Sequence, residues 1–151
     1  MERDLETLID ERNIIDLATQ YCWALDRRDF DALHEIFLPD AFAILGETEC
    51  DGIDAITERI SSALTPLDAS QHLVGSHEVR VDADRATHRC YLQAQHVRHA
   101  ADGGPLWMVG GKYEDELRRT SRGWRISRRI LSRIWTDGNP NVVAADLRRT
   151  R

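Results

Sequence analysis

The chain has 151 residues, a formal net charge of −6 at pH 7, 42% hydrophobic and 30% charged residues. That is the size and composition of one ordinary globular domain, neither disordered nor fibrous. The acidic balance argues against nucleic acid and anionic membranes as partners and leaves small molecules or proteins.

The opening segment, MERDLETLIDERN, is acidic and polar, and no run of about 18 apolar residues follows it anywhere, so a cytoplasmic location is expected. Cys22, Cys50 and Cys90 are far apart and form no CxxC pair. They are expected to be reduced, buried thiols rather than disulfides or zinc ligands.

From Asp4 to Leu25, the apolar residues Leu5, Leu8, Ile9, Ile15, Ala18, Cys22 and Leu25 recur at spacings of three and four, which predicts a long amphipathic helix. Asp29 can cap a shorter helix through Phe37, ended by Pro39-Asp40. Ala41 to Leu45 reads as a strand. A turn near Gly46 and a short strand at Glu49-Cys50 lead to a third helix, Ile53 to Leu64, closed by Pro66. Residues 72–81, 87–99, 106–119 and 124–135 are long strand candidates separated by hairpin-sized polar breaks. The adjacent glycines Gly110 and Gly111 mark a bulge or bend. Helices first and strands afterwards predict an α+β fold, with the helices on one face of a curved, mostly antiparallel sheet. The whole chain, 1–151, reads as one domain with its core at about 5–137. In the tail, 138–151, the segment from Asn139 is either a short helix or frayed.

Asp26 lies eight residues after Ala18 and four after Cys22, on the edge of the apolar stripe, while Tyr21 lies near the stripe's other edge. A carboxylate near a helix C-terminus opposes the macrodipole, so Asp26 either faces a compensating partner or frays into solvent beside Arg27 and Arg28. Two strand histidines are candidate partners. In QHLVGSHEV, His72 alternates with Val74 and Ser76 against Leu73 and Gly75, so both faces are mixed. In RCYLQAQHVRH, His96 shares a face with Cys90, Leu92 and Ala94. An aspartate behind an imidazole makes a positioned general base, and a phenol opposite can polarise a carbonyl. His77, His88 and His99 read as exposed or turn-adjacent. Trp107, Trp124 and Trp135 read as packing residues, and Arg128 and Arg129 as part of a solvated sheet face, their alternation with Ile126, Ile130 and Ile134 fitting an outer face that could pair with a second subunit. A metal site built from Asp26, His72 and His96 is a minor alternative, since no HxH pair supports it.

ALDRRDFDALHEIFLPDAF, the G-x-x-A-I helix start at Gly52, QHLVGSHEV and GGKYEDELRRTSRGWRISRR together resemble the SnoaL-like branch of the nuclear transport factor 2-like superfamily over about residues 5 to 137. The resemblance implies a cone-shaped α+β barrel around a mostly apolar cavity. Its catalytic pattern is similar to scytalone dehydratase, bacterial bile acid 7α-dehydratase and hexachlorocyclohexane dehydrochlorinase. It implies an Asp26–His72 dyad with His72 as base, Tyr21 as a third catalytic residue where the dehydrochlorinase has lysine, and His96 as a substrate-positioning residue. The dehydrochlorinase also has an arginine in its last strand, and Arg133 is chosen here for that substrate-binding role. The implied activity is a dehydratase-like lyase acting on a hydrophobic cyclic or polycyclic hydroxy-carbonyl compound, without cofactor or metal. An isomerase, a polyketide cyclase or a non-catalytic ligand-binding or assembly subunit are the alternatives. A homodimer or homotrimer is the expected assembly.

Overall fold

A computed structural model describes residues 4–148. Helix α1 spans Leu5–Arg27, and its N-cap Asp4 accepts a hydrogen bond from the Thr7 N–H at 2.8 Å, satisfying one otherwise unpaired donor. A 3-10 helix, Phe30–Glu35, follows in place of the expected longer helix. Strand β1 then runs Phe37–Leu45, β2 Thr48–Asp51, helix α2 Ile53–Leu64, β3 Ala69–Asp82, β4 Arg85–Val97, β5 Leu106–Thr120 and β6 Gly123–Gly138. Two short 3-10 turns, Pro140–Val142 and Ala145–Leu147, make up the described part of the tail.

Phe37 already pairs with Ile126, and the β1–β6 register slips between Phe37 and Phe42. Pro39 sits in that slip, where its missing N–H removes no ladder bond. It therefore begins a strand instead of merely ending a helix.

The strands form one six-stranded sheet in the order β2-β1-β6-β5-β4-β3. Every pair is antiparallel except β1 with β6. The sheet curves but does not close, because four-residue β2 at one edge is never paired with fourteen-residue β3 at the other. The expected barrel is thus an open cone. Helix α1 packs on β3, and α2 on β1 and β2. The residues between the layers, among them Ile14, Leu33, Ile36, Phe37, Ile56, Leu117 and Ile126, are almost entirely removed from water. That burial is the main favourable term of the fold.

Single-residue slips in the sheet decide which side chains look inward. Between Gly75 and Glu78, Ser76 and His77 together oppose Cys90. Between Glu116 and Leu117 the partner strand carries an extra residue, Ser127, whose hydroxyl donates to the Glu116 carbonyl at 3.0 Å. Each slip exchanges the two faces of the strand beyond it. A further slip falls between Gly110 and Gly111. At Gly110 the Trp135 indole crosses the strand, and a Cβ there would come within 2.0 Å of its Cε2.

No helix among the described residues is long and apolar enough to cross a membrane. The three cysteines are buried and unpaired.

Candidate active site

Asp26 lies in the last turn of α1, and the chain leaves that helix through Arg28, a left-handed C-cap with φ 60°. The carboxylate faces β3. His72 donates to it twice, through its backbone N–H to Oδ2 at 2.8 Å and through Nδ1 to Oδ1 at 2.7 Å. The Ser70 hydroxyl donates to Oδ1 at 2.9 Å and is itself held by Arg28 Nη1 at 2.8 Å. Burial opposes ionisation of Asp26, but these bonds outweigh it and hold the carboxyl below its ordinary value. The helix-end charge is therefore compensated by hydrogen bonds, and an ionised carboxylate fixes the proton of His72 on Nδ1. Nε2 is the ring nitrogen left to the cavity that His72 lines.

That cavity has a volume of about 100 Å³ and is closed partly by Val143 and Leu147 from the tail. Tyr21, His72, His96 and Arg133 all line it, and Asp26 stands behind His72. The His72 and His96 rings are 6.2 Å apart. His96 Nδ1 lies 3.1 Å from the Trp107 carbonyl, so this nitrogen carries the proton and Nε2 is an acceptor. Burial, reinforced by His72, pushes the His96 pKa down to about 4. His96 is therefore neutral across the physiological range.

A pH dependence of stability follows. Unfolded His96 takes up its proton near pH 6.5, and the folded protein resists it to about 4, so the unfolded chain binds more protons between these values. Stability from this group is whole above pH 6.5 and falls as pH drops through that window, by at most about 1.4 kcal/mol per unit. Urea unfolding from pH 7 to 4.5 should show a steeper loss for wild type than for His96→Gln, and parallel curves would refute the assignment.

Deeper in the site, Tyr21 packs edge-on against Tyr113, with ring centroids 5.7 Å apart. Burial raises the pKa of both phenols, so both stay protonated. The Arg129 guanidinium stacks on both rings, 4.5 Å from Tyr21 and 4.1 Å from Tyr113. Burial disfavours its charge, but Asp115 overrides this through two bonds of 2.7 and 2.8 Å. His88 Nδ1 meets the same carboxylate at 2.9 Å. Two expectations are thereby corrected. Arg129 is 1% exposed rather than solvated, because the slip at Ser127 turns it and Leu131 inward after Ile126, leaving Ile130 and Ile134 on the outer face. His88 is 3% exposed rather than turn-adjacent, since it shares the inward parity of Cys90 and Leu92. Nor do Asp26, His72 and His96 converge as metal ligands: Asp26 is engaged by Nδ1 of His72, and His96 turns its own Nδ1 to Trp107.

Tyr113, Trp107 and Arg59 also line the cavity, and Arg59 is bridged to Asp146 of the tail at 3.0 Å. Tyr113 is legible as an inward residue through its alternation with Trp107 and Val109 along β5. Arg59 carries no sequence signal beyond its place on α2. Arg133 lies 5.3 Å from the Trp107 ring.

The profile of the SnoaL-like domain matches residues 6–130. The chain belongs to the SnoaL-like family. The uncharacterised protein Rv2910c of Mycobacterium tuberculosis is 34% identical to this SnoaL-like protein over 130 residues, covering 83% of this chain and 86% of its own. Three solved structures share the fold. A Novosphingobium aromaticivorans protein assigned as a scytalone dehydratase has a TM-score of 0.79 at 22% identity, covering 87% of this chain and 88% of its own. A type 2 hexachlorocyclohexane dehydrochlorinase, LinA, has a TM-score of 0.79 at 19% identity, covering 89% and 92%. A nuclear transport factor 2-like superfamily protein of Salmonella enterica has a TM-score of 0.75 at 17% identity, covering 87% and 96%.

Proposed function

We propose that this SnoaL-like protein is a lyase that removes water from a compact, hydrophobic cyclic hydroxy-carbonyl compound, using only its own side chains. The observation that carries the reading is the dyad, in which Asp26 holds Nδ1 of His72 and so offers Nε2 to the cavity as a base. Structural neighbours assigned as a scytalone dehydratase and a dehydrochlorinase, both eliminating enzymes by name, support the reaction class.

In the reaction, Nε2 of His72 takes the proton from the carbon beside the carbonyl while the Tyr21 hydroxyl, with Tyr113 next to it, donates to the oxygen that gains charge. Arg129 behind the two rings favours that charge. The enolate then expels the hydroxyl from the neighbouring carbon, and the proton on His72 leaves with it as water. His96 is neutral with Nδ1 committed to Trp107, so it cannot protonate the leaving group. It orients the substrate by accepting a hydrogen bond from its hydroxyl, and Arg133 closes the same wall.

Size narrows the substrate. An engineered apolar cavity of about 150 Å³ holds one benzene, and this cavity is about 100 Å³. A single ring is accommodated by modest displacement of Val143 and Leu147, and a polycyclic compound requires the tail to move away. An isomerase would begin with the same proton abstraction and return the proton to another carbon. A purely structural subunit has no use for a buried, charge-supported base facing a cavity.

The test is to incubate the protein with a panel of cyclic β-hydroxyketones of one and several rings and follow formation of the conjugated enone. Turnover of single-ring compounds, lost in His72→Ala, is expected. Absence of turnover across the panel, or equal rates in wild type and His72→Ala, would overturn the reading.

A further inference from the structure

A second constellation lies beyond Arg129, on the side away from the cavity. The bulge in β3 sets Ser76 and His77 together opposite Cys90. Ser76 adopts φ 55°, a conformation costly for any residue but glycine. Without the extra residue, His77 would lie on the face opposite to His72. The slip turns it inward to meet Cys90 across the ladder, and His88 lies two residues along the same inward face as Cys90.

His77 Nδ1 is 3.0 Å from His88 Nε2, and one ring nitrogen of each histidine and Cys90 Sγ all lie within 4.8 Å of one another. His88 is oriented from behind: its Nδ1 meets Asp115 Oδ2 at 2.9 Å, which aims Nε2 into the cluster, and Arg129 locks Asp115 in place. A carboxylate on the far nitrogen of an imidazole is the arrangement that fixes a metal-binding histidine.

We propose that His77 Nδ1, His88 Nε2 and Cys90 Sγ form a binding site for a divalent transition-metal ion of the zinc class, with water in the fourth position. Two imidazoles and a thiolate select a borderline-soft ion over calcium or magnesium. Around a tetrahedral ion with bonds of about 2.0–2.3 Å, ligand atoms stand roughly 3.3–3.7 Å apart, so the two histidines at 3.0 Å need only part slightly to admit one. The ion enters from the sheet edge, because His77 is only half-buried on edge strand β3 and borders an open groove with Ser76, Glu78, Tyr91 and Lys112. Cys90 is a free, buried thiol. Binding breaks its S–H bond, forms the sulfur–metal bond and sends one proton to solvent. The site is separate from the Asp26–His72 dyad and does not depend on the lyase reading.

The experiment is a Co²⁺ titration of the whole chain, followed by competition with Zn²⁺. One ion per chain, a thiolate-to-cobalt charge-transfer band in the near ultraviolet and release of about one proton per ion are expected. Cys90→Ser should abolish the band, and His77→Ala should weaken binding tenfold or more. Asp26→Asn should leave all three readouts unchanged. His77 is half-buried at an edge, so His77→Ala keeps its fold and carries the test if Cys90→Ser does not. Absence of the band in wild type, its persistence in Cys90→Ser, or unaltered affinity in His77→Ala would overturn the proposal.

Discussion

Asp26→Asn is expected to lower turnover of a dehydrated substrate by two to four orders of magnitude, on the order of what a positioned acid–base group contributes. The loss should fall on kcat and leave KM nearly unchanged, because Asp26 stands behind His72 and, in the proposed mechanism, stabilises the imidazolium only after the proton has moved. An amide keeps the size of the side chain but not its charge, and it can offer an N–H where Nδ1 of His72 needs an acceptor. Stability should fall by about 1.5–3 kcal/mol, the worth of a hydrogen bond to a charged group, which leaves the variant folded. Steady-state kinetics alongside thermal unfolding checks both halves. Turnover equal to wild type would remove Asp26 from the mechanism, whereas an unfolded variant would show a structural role instead.

Arg129→Met should destabilise the protein by about 3–5 kcal/mol, the usual result of leaving one member of a buried ion pair without its partner. Asp115 has no solvent exposure at its side chain, and after the substitution His88 alone among the described residues would still hydrogen-bond its carboxylate. The Tyr21 and Tyr113 rings would also lose the cation stacked on them. The double variant Arg129→Met, Asp115→Leu should recover a large part of the loss, since replacing both charges with apolar groups removes the stranded ion. Equilibrium urea unfolding of the single and double variants measures the coupling. A single variant within about 1 kcal/mol of wild type would mean that water reaches Asp115.

Much of the architecture was legible because its elements follow simple periodicities. The long first helix, the Ile53–Leu64 helix and four C-terminal strands all appear in the spacing of apolar residues. The placement of Asp26 was legible for a different reason: a charge at the edge of an apolar stripe, at the unfavourable end of a helix, needs a partner. The residues misread lie beyond the slips. Alternation carried across Ser127 keeps Ile126 and Ile130 on one face and sets Arg129 on the other, while the strand itself changes faces between Ile126 and Ile130. His77 is concealed in the same way by Ser76, and nothing in QHLVGSHEV except one glycine announces a bulge. His88 is legible as an inward residue, since it alternates with Cys90 and Leu92 along β4. The six-residue 3-10 helix differs from the expected longer helix because β1 claims Phe37 for pairing.

The family match ends at residue 130, whereas Arg133, Val143 and Leu147 of the cavity wall come after it. The dyad, the two phenols and Arg129 all belong to the shared portion. The tail is fastened to the body by polar contacts, Arg59 to Asp146 and Arg98 to the carbonyls of Asn141 and Val142, that do not pass through the base or the phenols. The groups of the proposed chemistry thus lie within the matched stretch, while one part of the cavity wall lies beyond it. New side chains at Val143 and Leu147 would reshape that part of the wall while leaving the proposed base and phenols in place, which makes this short segment a natural place to diversify the cavity.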